Sequence, residues 1–168
     1  MSGYIADIET DFSLEVEAES HGAYFISFRL GFGPADNKMM SMYVALIPGL
    51  SYVQQDGIYD LKLCLRERDL EFAEIAGEPH FTREAADQYI PKDSRPKALD
   101  CVLRAVESLV GKVSPPCLTM VTFAPYLPDK ALVKYHKIAS VINNLHYVTD
   151  DCHKAEDGKW YWYFKKDR

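Results

Sequence analysis

The stretch that decides the fold is Tyr24-Phe-Ile-Ser-Phe-Arg-Leu-Gly-Phe32, in which apolar residues recur at every second position. A period of two places successive side chains on opposite faces of a β-strand, so this stretch predicts a strand with one face in the core. A cluster of turn-forming residues follows at Gly33–Asn37, and the apolar run Met39–Ile47 predicts the next strand. Because the connection is short, we expect the two strands to pair antiparallel.

The remaining elements change from strand to helix near the middle of the chain. Alternation over Leu61–Leu65 predicts a fourth strand, and a fifth is expected over Leu70–Ile75. In the second half, apolar residues recur with a helical period beside the prolines and glycines that are typical of helix ends. The elements predicted there are a short helix over Thr82–Tyr89, a helix from Ser94 to Gly111, a strand over Leu118–Phe123, a helix over Pro128–Leu145, and a hairpin of strands His146–His153 and Lys159–Lys165.

Together these elements predict a single α+β domain spanning residues 1–168. With 48% hydrophobic residues, the chain can fill a substantial core. We expect a mainly antiparallel sheet of five to seven strands with two principal helices on one face, because this layering buries the inner side of every element.

The chain is acidic, with a formal net charge of −6 and a pI near 5.3. This charge argues against direct binding to nucleic acid or to anionic membranes. No apolar run approaches the roughly 20 residues that span a bilayer, and the first residues lack the basic and apolar regions of a signal peptide. We therefore expect a cytoplasmic protein whose four cysteines are reduced thiols.

The acidic residues are concentrated between Asp7 and Glu19, where polar residues alternate with apolar ones. This alternation predicts a first strand that holds six carboxylates on its outer side, at Asp7, Glu9, Asp11, Glu15, Glu17 and Glu19. Alternate residues of a strand lie about 6.6 Å apart, a scale similar to the spacing of phosphates along nucleic acid. Such a row could imitate a phosphate backbone towards a basic groove. The alternative is a solvated sheet face whose acids are offset by Arg29, Lys62 and Arg66 on neighbouring strands.

A second candidate contact surface lies in the aromatic run Trp160–Phe164 of the C-terminal hairpin. Alternation places its aromatic side chains on both faces of one strand, and one face must enter the core. Alternation leaves open whether the tyrosines or the tryptophans form the exposed face. We name Tyr161 and Tyr163 as the partner contacts, since exposed aromatic side chains are frequent anchors in protein interfaces. The alternative is a final strand that is covered on both sides.

One short motif points to phosphodiester chemistry. Asp7-Ile-Glu9-Thr10 resembles the first metal-binding motif of the proofreading-type exonucleases, in which paired carboxylates hold Mg²⁺ for attack by water. The resemblance implies a further acidic residue near the end of the fold, for which Asp100 is the candidate, whereas the middle acidic motif of that family has no clear counterpart.

Two further segments contain histidine beside other possible site residues. His80-Phe-Thr82 resembles one motif of the two-histidine phosphoesterases, but the second would have to be His146–Thr149, which is one residue too long. Asp150-Asp151-Cys152-His153 contains four possible metal ligands, of which at most two could share an ion because neighbours on a strand point to opposite faces.

No complete catalytic set emerges, so we predict no catalytic residue, no metal site and no cofactor. We leave open whether the chain is an enzyme, and favour one that is not. The prediction is a non-catalytic acidic interaction protein, such as an inhibitor or immunity-type protein that occupies a basic or nucleic-acid-binding surface of a partner protein. The alternative is a metal-dependent nuclease or phosphoesterase.

Overall fold

A computed structural model of the chain describes residues 3–35, 37–49, 57–69, 75–80 and 83–168. These residues form three α-helices and nine strands, and the strands belong to one sheet. The strands are β1 (Ile5–Ala6), β2 (Glu17–Ala18), β3 (Tyr24–Gly33), β4 (Lys38–Pro48), β5 (Ile58–Asp69), β6 (Ile75–His80), β7 (Cys117–Val121), β8 (Tyr147–Lys154) and β9 (Trp160–Lys166). The helices are α1 (Arg83–Tyr89), α2 (Arg95–Val113) and α3 (Asp129–Asn144).

The strands β3, β4 and β5 form an antiparallel meander at the centre of the sheet. β1 and β2 both pair with β3, one at each end of its outer edge. Gly31 permits this close approach, because a Cβ there would lie 2.3 Å from the carbonyl oxygen of Ile5. A bulge between Arg29 and Gly31 accompanies the contact.

The C-terminal strands extend the sheet beyond β5, in the order β5-β7-β9-β8. β7 runs parallel to β5, since the connection between them contains α1 and α2 and crosses over one face of the sheet. The other described pairs of these strands are antiparallel, including the β8–β9 hairpin.

The helices pack on one face of this sheet. Alternate residues of β3, such as Ile26 and Phe28, join the buried side of α2 in the core. At the other end of the sheet, Tyr135 of α3 stacks on Trp162 of β9 with ring centroids 5.8 Å apart. Within the described residues no helix lies on the opposite face, which we name the helix-free face.

The helix-free face carries its own small apolar cluster of Phe25, Tyr43 and Cys64. These residues alternate with core residues along β3, β4 and β5, so the meander is buried on both sides at this point. Tyr161 and Tyr163 alternate with the core residues Trp162 and Phe164, and therefore lie on the helix-free face at the β9 end.

The predicted fold class is confirmed: the sheet is mainly antiparallel, seven of its strands have five or more residues, and both long helices cover one face. The strand predicted over Asp7–Glu19 is wrong, because only β2 lies within that range and β1 precedes it. α2 passes through Gly111 and ends at Val113, before Ser114 in the left-handed conformation. Most of the strand expected over 70–75 lies outside the described residues.

The turn of the C-terminal hairpin depends on a glycine at position 158. Gly158 has a φ of +80°, and a Cβ there would lie 2.7 Å from the ring of Tyr126. We expect Gly158→Ala to lower the free energy of unfolding by about 1–3 kcal/mol, measured by urea denaturation.

Gly111→Ala is the matched control for this substitution. Gly111 lies inside α2, and an added Cβ would meet only Leu145, at an ordinary contact distance of 3.8 Å. Alanine is a better helix former than glycine, so the free energy of unfolding of this variant should rise by about 0.5–1 kcal/mol. Equal effects of the two substitutions would contradict both the left-handed conformation of Gly158 and its contact with Tyr126.

Candidate partner-binding surface

The N-terminal segment 7–16 follows the outer edge of β3 without forming a continuous strand. Its first part stays close to β3, as the backbone N–H groups of Asp7 and Glu9 donate to the carbonyls of Leu30 and Arg29 at 2.9 Å each. The chain then turns inward, and Phe12 packs on Phe28 with ring centroids 5.0 Å apart.

Side chains of α2 hold the second part of this segment by its backbone. Arg104 donates to the carbonyl of Thr10 at 2.8 Å, and its guanidinium lies over the ring of Phe12. Ser108 and Lys112 both donate to the carbonyl of Leu14, at 2.9 and 2.7 Å. These bonds attach the segment to α2 through the carbonyl groups of Thr10 and Leu14.

Tyr4 anchors the start of the segment. Its hydroxyl donates to the carbonyl oxygen of Tyr89 at 3.2 Å, and the two rings meet edge to face. Burial, followed by the proximity of Tyr89, raises the pKa of Tyr4 to about 12. The neutral hydroxyl, which can donate this bond, is therefore the form that the fold favours.

The six predicted carboxylates lie along this edge of the sheet but do not form one regular row. Asp7 makes an ion pair with Arg29 at 2.9 Å, and a carboxylate oxygen of Glu9 accepts the backbone N–H of Arg29 at 3.1 Å. Arg29, which the sequence suggested as a basic neighbour, thus offsets part of the negative charge of this edge. Asp11 and Glu19 are exposed.

Three of the acids converge on one open concavity at the β3 edge. Glu9, Glu15 and Glu17 line a space of 210 Å³ together with Ser27 and Arg68 from the helix-free face. Among the described residues, neither Glu15 nor Glu17 takes part in an ion pair. We name the six carboxylates together the acidic edge, namely Asp7, Glu9, Asp11, Glu15, Glu17 and Glu19.

The centre of the helix-free face is cationic. The guanidinium groups of Arg66 and Arg68 lie 5.5 and 5.2 Å from the ring centre of Tyr43, and Nε of Arg68 donates to the Tyr43 hydroxyl at 2.6 Å. Burial raises the pKa of the neighbouring Cys64, while a hydrogen bond from Arg66 opposes the shift. Arg66 and Arg68 therefore place positive charge beside the acidic edge, and Arg68 also lines the concavity of Glu9, Glu15 and Glu17.

The two predicted tyrosines belong to a row of three nearly parallel rings at the far end of the same face. His153 stacks with Tyr161 at 5.7 Å and 13°, and with Tyr163 at 6.3 Å and 14°. A carboxylate oxygen of Asp151 lies 2.9 Å from Nδ1 of His153, within hydrogen-bonding distance. Asp157 accepts a hydrogen bond from the Tyr161 hydroxyl at 3.1 Å. We name His153, Tyr161 and Tyr163 the ring row.

Sequence reasoning found the tyrosines of the ring row but missed His153. The signal was present, because counting outward from the hairpin turn pairs His153 with Tyr161 in the register that the structure shows. Asp151 and His153 are two residues apart and share a face, so their contact also follows from strand geometry.

The residues that resemble an exonuclease have separate partners. Asp7 pairs with Arg29, whereas Asp100 on α2 pairs with Arg104 at 3.7 Å. Within the part of the chain that the structure describes, no three His, Cys, Asp or Glu side chains are grouped as metal ligands. Phe81 and Thr82 of the His80–Thr82 motif lie outside the described residues, as does the side chain of His80.

Comparison with protein-family models, with curated proteins and with solved structures found no match to this chain. None of the helices in the described ranges has the length and apolar character needed to cross a lipid bilayer.

The path of the N-terminal segment can be tested at Phe12 and Leu14. A continuous strand would turn both side chains to the core, whereas here Phe12 is 6% exposed and Leu14 is 38% exposed. We expect Phe12→Ala to lower the free energy of unfolding by about 3 kcal/mol or more, and Leu14→Ala by about 0.5 kcal/mol. Urea denaturation measures both, and similar losses would indicate the regular strand instead.

Proposed function

We propose that this chain is a non-catalytic interaction protein that uses its acidic edge to dock on a basic surface of a partner protein. The observation that carries the proposal is the convergence of Glu9, Glu15 and Glu17 on one open concavity. An inhibitor or immunity-type protein that covers a basic or nucleic-acid-binding surface fits this arrangement.

The local charge supports a basic partner. Residues 7–19 contain six acidic side chains and no lysine or arginine. Five of these acids, Asp7, Asp11, Glu15, Glu17 and Glu19, are exposed. Concentrated charge of one sign steers an oppositely charged partner and raises the rate of association, with a strong dependence on ionic strength.

The acidic edge is also fixed in place before any partner arrives. Phe12 is buried, and the carbonyls of Thr10 and Leu14 are bound by α2. Ordering a flexible segment on binding would cost affinity, and a segment that is already held avoids much of this cost. Attachment to the core therefore favours this segment as a recognition surface.

The decisive experiment is capture of partner proteins from the native host with the triple variant Glu15→Gln, Glu17→Gln and Glu19→Gln. Each substitution removes one charge and keeps the shape of the side chain. We expect a protein that the unaltered chain retains at low ionic strength to be retained about tenfold less by the variant, because each exposed charge contributes up to about 1 kcal/mol.

The matched control replaces three exposed glutamates outside the acidic edge, with Glu84→Gln, Glu107→Gln and Glu156→Gln. This control changes the net charge equally and should retain the partner as the unaltered chain does. If both triple variants bind the partner alike, the acidic edge is not the docking surface.

A further inference from the structure

We propose that the ring row binds an arginine side chain of the same basic partner. This inference rests on the proposed function and adds the chemistry of a second contact point. Tyr163 is 38% exposed, and its ring is nearly parallel to that of His153. The row therefore presents a flat aromatic surface to solvent at the β8–β9 end of the helix-free face.

Carboxylates lie around the ring row, and Lys165, two residues from Tyr163 on the same strand face, is already paired with Asp150 at 3.3 Å. Asp151 and Asp157 each hold one of its rings by a hydrogen bond, and the side chain of Asp151 is 54% exposed. A guanidinium can stack on an aromatic face and donate to a neighbouring carboxylate at the same time. A lysine ammonium is a compact charge that does not stack as a plane, so the site should prefer arginine to lysine.

His153 already shows the contact that the site can make. Its flat ring stacks on both tyrosines while one ring nitrogen contacts Asp151 at 2.9 Å. A guanidinium on the exposed side of Tyr163 would repeat this combination of stacking and a nitrogen–carboxylate contact. The chain thus contains an internal example of the proposed contact.

The two contact points lie on one sheet at a distance that a single protein can span. Four strand spacings separate β3 from β9 in the order β3-β4-β5-β7-β9, which amounts to about 19 Å. Arg66 lies between them and Arg68 lines the acidic concavity itself, so both would repel a continuous basic surface. The partner should therefore carry two separate basic groups, with an arginine in the one that reaches Tyr163.

The test uses two labelled peptides, one of alternating glycine and arginine and the other with lysine in place of arginine. Fluorescence anisotropy with the full chain should show several-fold tighter binding of the arginine peptide. Tyr163→Leu keeps an apolar side chain but removes the aromatic face, and should weaken binding of the arginine peptide about fivefold while leaving the lysine peptide nearly unchanged. Tyr163→Phe should bind both peptides as the unaltered chain does.

Tyr126→Leu is the position control, because Tyr126 is 70% exposed outside the ring row, and leucine keeps an apolar side chain beside the hairpin turn while removing the aromatic face. It should leave the preference for arginine intact. The triple variant at Glu15, Glu17 and Glu19 should lower the affinity for both peptides by the same factor, so the ratio of the two affinities should not change. The arginine site would be overturned if the unaltered chain bound both peptides with equal affinity, or if the preference for the arginine peptide survived Tyr163→Leu. The capture experiment tests the acidic edge separately.

Discussion

The contact between Phe12 and the α2–β3 layer is the interaction on which the exposed surface of this protein depends. Phe12 enters the core beside Phe28, while Arg104 covers its ring and binds the carbonyl of Thr10. This contact draws the N-terminal segment away from the β3 ladder. Because the segment is fixed by one buried side chain and a few backbone bonds, its carboxylates remain at the surface in a defined place.

The placement of all three described helices on one face gives the opposite face its character. The helices bury the apolar side of the long strands β3, β4 and β5, so the alternate residues of these strands form a second surface of mixed composition. That surface runs from the acidic edge, across the arginines around Tyr43, to the ring row. A partner with separated basic groups would match this order of charges, whereas a uniform polyanion or polycation would meet repulsion in some part of it.

The central elements could be predicted because local patterns and tertiary packing agree on them. β3, β4 and the two long helices each show a clear period, and each buries the face that the period indicates. The segment 7–19 has an equally clear period of two but forms no continuous strand. Its alternation is compatible with any extended chain that inserts one residue in the core, and the hydrogen bonds from Ser108 and Lys112 are not encoded locally.

The class of the fold and the main strands and helices follow from the sequence pattern alone. Alternation left open whether the tyrosines or the tryptophans of Trp160–Phe164 face outward, and the burial of Trp162 and Phe164 in the core answers that question. The convergence of the acids depends on the tertiary structure, since Glu9 and Glu17 come together with Arg68 of β5, which lies two places beyond β3 in the sheet. The tertiary structure also decided the ion pair between Asp7 and Arg29, and the stacking of His153 on the tyrosines. The physical reason is that periodicity fixes the face to which a side chain points, whereas strand order and register fix the residues that it meets.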